Sequence, residues 1–166
     1  EKVGKLGGVM EGVKDTFRHW WLVIRCSAIG TFTAIIPGMG PAVSQWLAYA
    51  QTDLAMAAAG AQLPLVQGWA VAFHCQQAVE KAFKGALLFY NGPIVRTHDL
   101  VRLEAVLAGV GLTSPIVPEQ LEMLTPFAID DKYPRLKLEP ISRLDAADLI
   151  PTAQLAVEWL ATLLSA

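Results

Sequence analysis

The chain is short of charge, short of cysteine and without strand-like alternation, and each shortage excludes something. Only 17% of its 166 residues are Asp, Glu, Lys or Arg, and the formal net charge is -2. No global basic field is available for a nonspecific grip on nucleic acid. Two cysteines, Cys26 and Cys75, stand in apolar surroundings without CxxC spacing. They read as buried small hydrophobes, which suits a reducing cytoplasm, and not as a disulfide or metal pair. GxxxxGK[ST], GxGxxG after a strand, HExxH and Cys/His clusters are all missing, so no cofactor and no metal site are expected. Long apolar runs are also scarce. Trp20 to Ile36 is 17 residues with Arg25 inside, short for a helix crossing a hydrocarbon core of roughly 30 Å. Glu1 to Trp21 has no small-residue cleavage site after a short apolar core, so no secretory signal is expected there. The first residue is not Met, and the chain is expected to begin inside a longer reading frame.

What is present divides by composition. Hydrophobic residues make up 54% and mean hydropathy is +0.41, but the excess is local: no Asp, Glu, Lys or Arg occurs between Arg25 and Asp53. A charged lead runs into an apolar segment that "PGMGP" interrupts, and Pro37, Gly38, Gly40 and Pro41 are expected to end any helix there. A second apolar piece, Ala42 to Ala50, is too short to span alone. Trp20 and Trp21 beside Arg18 and His19 form an interfacial-anchor pattern. Two half-helices meeting at a Gly/Pro break suit a mid-membrane site; a buried hairpin in a soluble core is the alternative. "EGVKDTFRHWWLVIRCSAIGTFTAIIPGMGPAVSQWLAYAQ" resembles part of the large membrane subunit of the tripartite tricarboxylate transporters. The match lies in the break (Pro37, Gly38, Gly40, Pro41) and in a "QWxxYA"-like segment (Gln45, Trp46, Tyr49, Ala50). It covers a small part of a polytopic subunit, so transport is not expected of this chain. A membrane contact through residues 20–50, and with it inner-membrane association, remains an alternative to a cytoplasmic location.

From Trp46 onward the pattern is helical throughout, and the fold class is all-α. Trp46, Leu47, Ala50, Leu54 and Ala57 form a stripe at three- and four-residue spacing. Pro64 and Gly68 mark a connector. A long helix from about Gly68 to Tyr90 follows, its stripe (Val71, Cys75, Ala78, Ala82, Ala86, Phe89) rich in small residues that allow close helix approach. "NGP" should end it. Thr97 is expected to cap a helix starting at His98, with Asp99 in its first turn and Leu100, Leu103, Val106 and Leu107 facing inward. "GVGL" reads as a helix end. A short helix is expected over Glu119 to Phe127, and "DDKYPRLKLEP" reads as a polar loop. The last helix is expected over Leu144 to Leu164, with Ser142 and Asp145 in a capping arrangement and Pro151 as a kink or the true start.

His74, Gln77, Lys81 and Lys84 lie on one ridge of the long helix, with Glu80 and Lys84 an i,i+4 pair worth about 0.3–0.5 kcal/mol on a surface. The ridge reads either as a solvated face or as a phosphate-facing wall, with the lysines supplying charge and Gln77 a directional amide. Arg96 and His98 can join it, where a helix start adds free N–H donors.

"FHCQQAVEKAFKGALLFYNGPIVRTHDL" resembles the HEPN domain, in the Q-x-x-E-K-x-x-K helix (Gln77, Glu80, Lys81, Lys84) and in T-H-[DS]-L (Thr97, His98, Asp99, Leu100). An upstream helix (Trp46, Leu47, Ala50, Asp53, Leu54, Ala57) and a "Y-P" loop (Tyr133, Pro134) also match. The resemblance implies a four- to five-helix bundle over 45–166, here preceded by an apolar hairpin-like segment over 1–44 broken at "PGMGP". It also implies a homodimer, a minimal nucleotidyltransferase as partner in a toxin-antitoxin-like module, and a nucleotide or RNA as ligand. The candidate nucleotide-binding residues are Gln77, Lys81, Lys84, His74, Arg96 and His98. Many members cleave RNA through Arg-x(4–6)-His. Here His74 has Gln67, Gly68 and Trp69 at the required positions, and His98 has Asn91, Gly92 and Pro93. No other His in the chain has an Arg at that spacing. Catalysis by that motif is not expected; an atypical site at Arg96 and His98 is the remaining route to a nuclease, while His98 also reads as a structural imidazole at a helix start. "WLAYAQ" serves both resemblances, so the chain reads as a fusion joined there.

Overall fold

A computed structural model describes residues 15, 17–21, 24, 25, 41–128 and 141–165. The chain divides into two compact units, Glu1–Ile36 and Pro37–Ala166, and each is described by itself. In the first, the described residues between Asp15 and Arg25 are helical apart from a turn at His19, whose N–H donates to the Asp15 carbonyl at 3.0 Å. Trp20 and Trp21 meet edge to face, with ring centroids 5.9 Å apart. Cys26, the "PGMG" break at 37–40 and the hairpin expected around it, and the Tyr133–Pro134 loop all lie outside the described residues.

Pro41 is the first residue of the second unit's first helix, α1 (Pro41–Gln62). A proline in the first turn costs no hydrogen bond, because that N–H has no partner within the helix. The short apolar piece 42–50 and the stripe from Trp46 to Ala57 therefore lie on one helix. α2 (Gly68–Phe89) follows, then α3 (Leu100–Gly109) and α4 (Pro118–Leu124), which runs on as a 3-10 turn over Thr125–Ala128. The expected single C-terminal helix is two, α5 (Arg143–Ala147) and α6 (Ile150–Ser165). Pro151 explains the division: it is tolerated in the first turn of α6 and would break a continuous helix. Among the described residues there is no strand.

α2 is the central element, packed by α1, α6, α5, α3 and the 3-10 turn. Its stripe of Val71, Cys75, Ala78, Ala82 and Ala86 is buried as the spacing predicts, while Phe89 is half-buried at the end of the row. Phe83, Leu100, Leu103, Leu107, Leu121, Leu124 and Leu160 are fully buried, each worth roughly 1.5–3 kcal/mol over leaving it in water. Small residues set the helix spacing. A Cβ on Gly85 would stand 2.9 Å from Leu160 Cδ2 and 3.1 Å from Trp46 Cβ, so α1 and α6 both close onto α2 at that point.

The helix ends follow local chemistry. Asn91 takes a left-handed φ of 52° after α2; its N–H reaches the Leu88 carbonyl and the Gly92 N–H the Leu87 carbonyl, a Schellman end. "GVGL" builds the same motif after α3, with Gly111 at φ 80°, and with Leu112 bonded back to Leu107. Both leucines are buried. Ser142 caps α5, accepting from the Asp145 N–H at 3.1 Å and donating its hydroxyl to the Asp145 carboxylate at 2.7 Å. The cap of α3 is Asp99 and not Thr97: the Asp99 carboxylate accepts from the Arg102 N–H at 3.0 Å. Thr97 Oγ1 instead accepts from the Asp99 N–H at 3.2 Å, so His98 precedes the helix.

Candidate functional site

The polar ridge of α2 meets two buried carboxylates, and these organise everything around them. Asp53 is the single charged residue of α1 and is 7% exposed. Ala50, Ala57 and Gly60 share its row and are buried, so the carboxylate stands among core positions and faces α2. There His74 Nδ1 lies 2.9 Å from Oδ1, and the Lys81 ammonium bonds Oδ2. His74 and Lys81 are two turns apart, so one acid bridges them and fixes α1 on α2.

Glu80 is the second acid, 5% exposed. Lys84 donates to Oε1 at 2.7 Å and Gln76 to Oε2 at 2.9 Å. His98 Nδ1 lies 3.1 Å from both oxygens. The Gln76 amide also donates to the His98 carbonyl at 3.1 Å, and Gln77 donates to Gln76 Oε1 at 2.7 Å. Burial pushes the Glu80 carboxyl up, but hydrogen bonds from Lys84, Gln76 and His98, with the Lys84 charge, outweigh it and hold the group below its ordinary value. Glu80 is therefore an ionised, fully engaged carboxylate that ties the 90–99 connector to α2. The Glu80–Lys84 pair is not the surface pair that its spacing suggests; removing one partner strands a buried charge.

The ridge expected from sequence is thus present but only partly open to solvent. His74, Gln77, Lys81 and Lys84 are half-buried, and His98 and Arg96 are exposed. His74 and Lys81 gather on Asp53; Lys84 and His98 gather on Glu80; Gln77 reaches the second group through Gln76. Arg96 lies on the exposed connector before His98, and no described contact joins it to either group. Three participants were not among the expected site residues: Asp53, Gln76 and Glu80. Their signal is a polar residue in an apolar row. Gln76 has Ala72, Val79 and Phe83 at -4, +3 and +7, all buried.

Cys75 is fully buried, and burial pushes its thiol up to about 12. It stays a protonated small hydrophobe, neither nucleophile nor metal ligand at neutral pH. Among the described residues no group of three His, Cys, Asp or Glu is placed to hold a metal ion. Beside Lys84, an apolar groove of about 60 Å³ is lined by Trp46, Leu87, Leu88, Pro93, Ile94 and Val95. Small-molecule pockets run about 300–1,000 Å³, so this groove is too small to enclose a nucleotide.

The comparisons fit this architecture. The model of the HEPN domain matches residues 43–163, and that of the tripartite tricarboxylate transporter TctA family matches residues 1–59. Two similar solved structures are ST0689, an archaeal HEPN homologue, and TT1696 from Thermus thermophilus. The first is 24% identical with a TM-score of 0.56, covering 74% of this chain and 97% of its own. The second is 26% identical with a TM-score of 0.54, covering 72% and 96%. No curated protein matches the chain significantly.

Proposed function

The chain belongs to the HEPN family, and from that premise we propose that its bundle is a non-catalytic binding domain. In this reading the ridge of Gln77, Lys81, Lys84 and His74, with Arg96 and His98, takes a nucleotide. The domain acts as a homodimer and pairs with a minimal nucleotidyltransferase in a toxin-antitoxin-like module in the cytoplasm. The division into a transporter-like segment over 1–44 and a bundle over 45–166 is part of the same proposal. One observation carries it: two buried carboxylates hold His74, Lys81 and Lys84 of α2 and His98 of the following connector in set positions. Such pre-ordering lowers the entropy that a polar surface gives up on binding. The absence of Arg-x(4–6)-His supports a binding role over cleavage. Titration calorimetry of the whole chain with ATP tests it. Binding that weakens at least tenfold in Arg96→Ala and Gln77→Ala, with the fold intact by circular dichroism, supports the reading; absence of heat at millimolar nucleotide sinks it.

A second reading is favoured by the His98–Glu80 contact. An imidazole held at Nδ1 by a carboxylate, with its ring half exposed, is the arrangement of an oriented general base. Beside Arg96 it would serve an RNA-cleaving site of atypical spacing. Cleavage of single-stranded RNA that disappears in His98→Ala supports this; RNA left intact after prolonged incubation rules it out.

A further inference from the structure

In the first unit, Phe17, Trp20, Trp21 and Ile24 recur at i, i+3, i+4 and i+7 in helical conformation. All four are exposed, from 49% at Ile24 to 75% at Phe17. At about 100° per residue they occupy one sector roughly 100° wide. The charged residues are placed around that sector in order. Arg18 and Arg25, seven positions apart, fall together on one flank of it, while Asp15 and His19 fall on the opposite side of the helix.

We propose that this segment lies along an anionic lipid surface, with the aromatic sector in the headgroup–acyl boundary and Arg18 and Arg25 on lipid phosphates. Trp is the side chain best suited to that depth, apolar in its rings and polar at its N–H. Two arginines on the flank have aliphatic stems long enough to lie beside the apolar sector while their heads stay at the phosphates. Charge complementarity selects the occupant: a zwitterionic surface balances each phosphate with its own choline and has no net field, whereas an anionic leaflet attracts each arginine. Among the described residues no helix is long and apolar enough to cross a membrane. An apolar aromatic sector with arginines on its flank is the pattern of a helix lying in the interface plane.

The test is flotation of the full chain with phosphatidylcholine vesicles, with and without phosphatidylglycerol. The chain is expected to float with the anionic vesicles and to be released by raised salt. Arg18→Gln with Arg25→Gln should weaken binding by roughly thirtyfold, from two surface arginines, and Trp20→Ser with Trp21→Ser should abolish it. Neither pair lies in the HEPN bundle, so far-UV circular dichroism should show the helices retained. Failure of the unmodified chain to float overturns the proposal, as does flotation of both double variants like the unmodified chain. Equal binding to neutral vesicles overturns the role of the arginines. A chain that stays off vesicles but halves its mass on losing the two tryptophans is using this face for a second copy, and the lipid assignment is then wrong.

Discussion

Asp53 on α1 and Glu80 on α2 are both buried acids, yet they hold different things. Asp53 reaches across a helix seam: its partners His74 and Lys81 lie 21 and 28 positions away, and both sit on α2. Glu80 draws on its own helix, with Gln76 and Lys84 one turn to either side, and on the connector through His98. The His74 side chain is 28% exposed and that of His98 52%. Asp53 is thus a clip between two helices, whereas Glu80 positions an imidazole that solvent or a ligand can reach. A row of cations that looks uniform along α2 has a structural end and a presenting end.

The sharpest way to break that distinction is to remove one cation from each acid. Lys81→Met leaves the Asp53 carboxylate buried with a single imidazole as partner, and should cost about 3 kcal/mol in urea unfolding. Lys84→Met leaves Glu80 with an amide and an imidazole already in place, and should cost less, about 1–2 kcal/mol. Equal losses would mean that the two acids play the same part. Next in size, Gly85→Ala should cost about 1–3 kcal/mol by overpacking, because α1 and α6 meet there at the bare backbone. Since this site belongs to neither polar group, its cost should add to that of Lys84→Met only if the helices do not shift together.

Acid tests Glu80 on its own. The Glu80 carboxyl is held below its ordinary value, so its contribution is fully present above the unfolded value of about 4.3. It is lost as pH falls through the lowered folded value. Urea midpoints measured from pH 7 down to pH 3 should fall, and Glu80→Gln should flatten that fall while lowering the midpoint at pH 7. An unchanged acid limb in Glu80→Gln would show that other carboxylates carry it.

Much of the bundle was legible from periodicity. The α2 stripe, the "GVGL" helix end and the Ser142 cap are local patterns, and the structure has each where the pattern puts it. The α3 cap was missed because Thr97 and Asp99 both suit the role and lie two apart; only the backbone decides, and it gives the helix cap to Asp99 and a small turn to Thr97. Pro151 was ambiguous for the same reason, since proline begins helices as readily as it ends them. The polar ridge was legible in part, and its organisation was not. Spacing on one helix finds His74, Gln77, Lys81 and Lys84, but no periodicity within α2 shows that Asp53 of α1 comes to meet two of them. Gln76, Asp53 and Glu80 each occupy a core row, and a polar residue in such a row is the signal to follow.

The smallest effect bears most directly on which end of the ridge meets a ligand. His98 is exposed at its ring and held from behind, so His98→Gln should cost under about 1 kcal/mol, the worth of one hydrogen bond partly replaced by the glutamine amide. His74→Gln sits at the clip and should cost somewhat more, because it removes the ring nitrogen that lies 2.9 Å from the buried Asp53 carboxylate. Nucleotide titration should show the opposite order, with the larger loss of affinity in His98→Gln. If His74→Gln weakens nucleotide binding more than His98→Gln, then the clip is also the ligand-facing end, and the distinction between the two acids does not extend to binding.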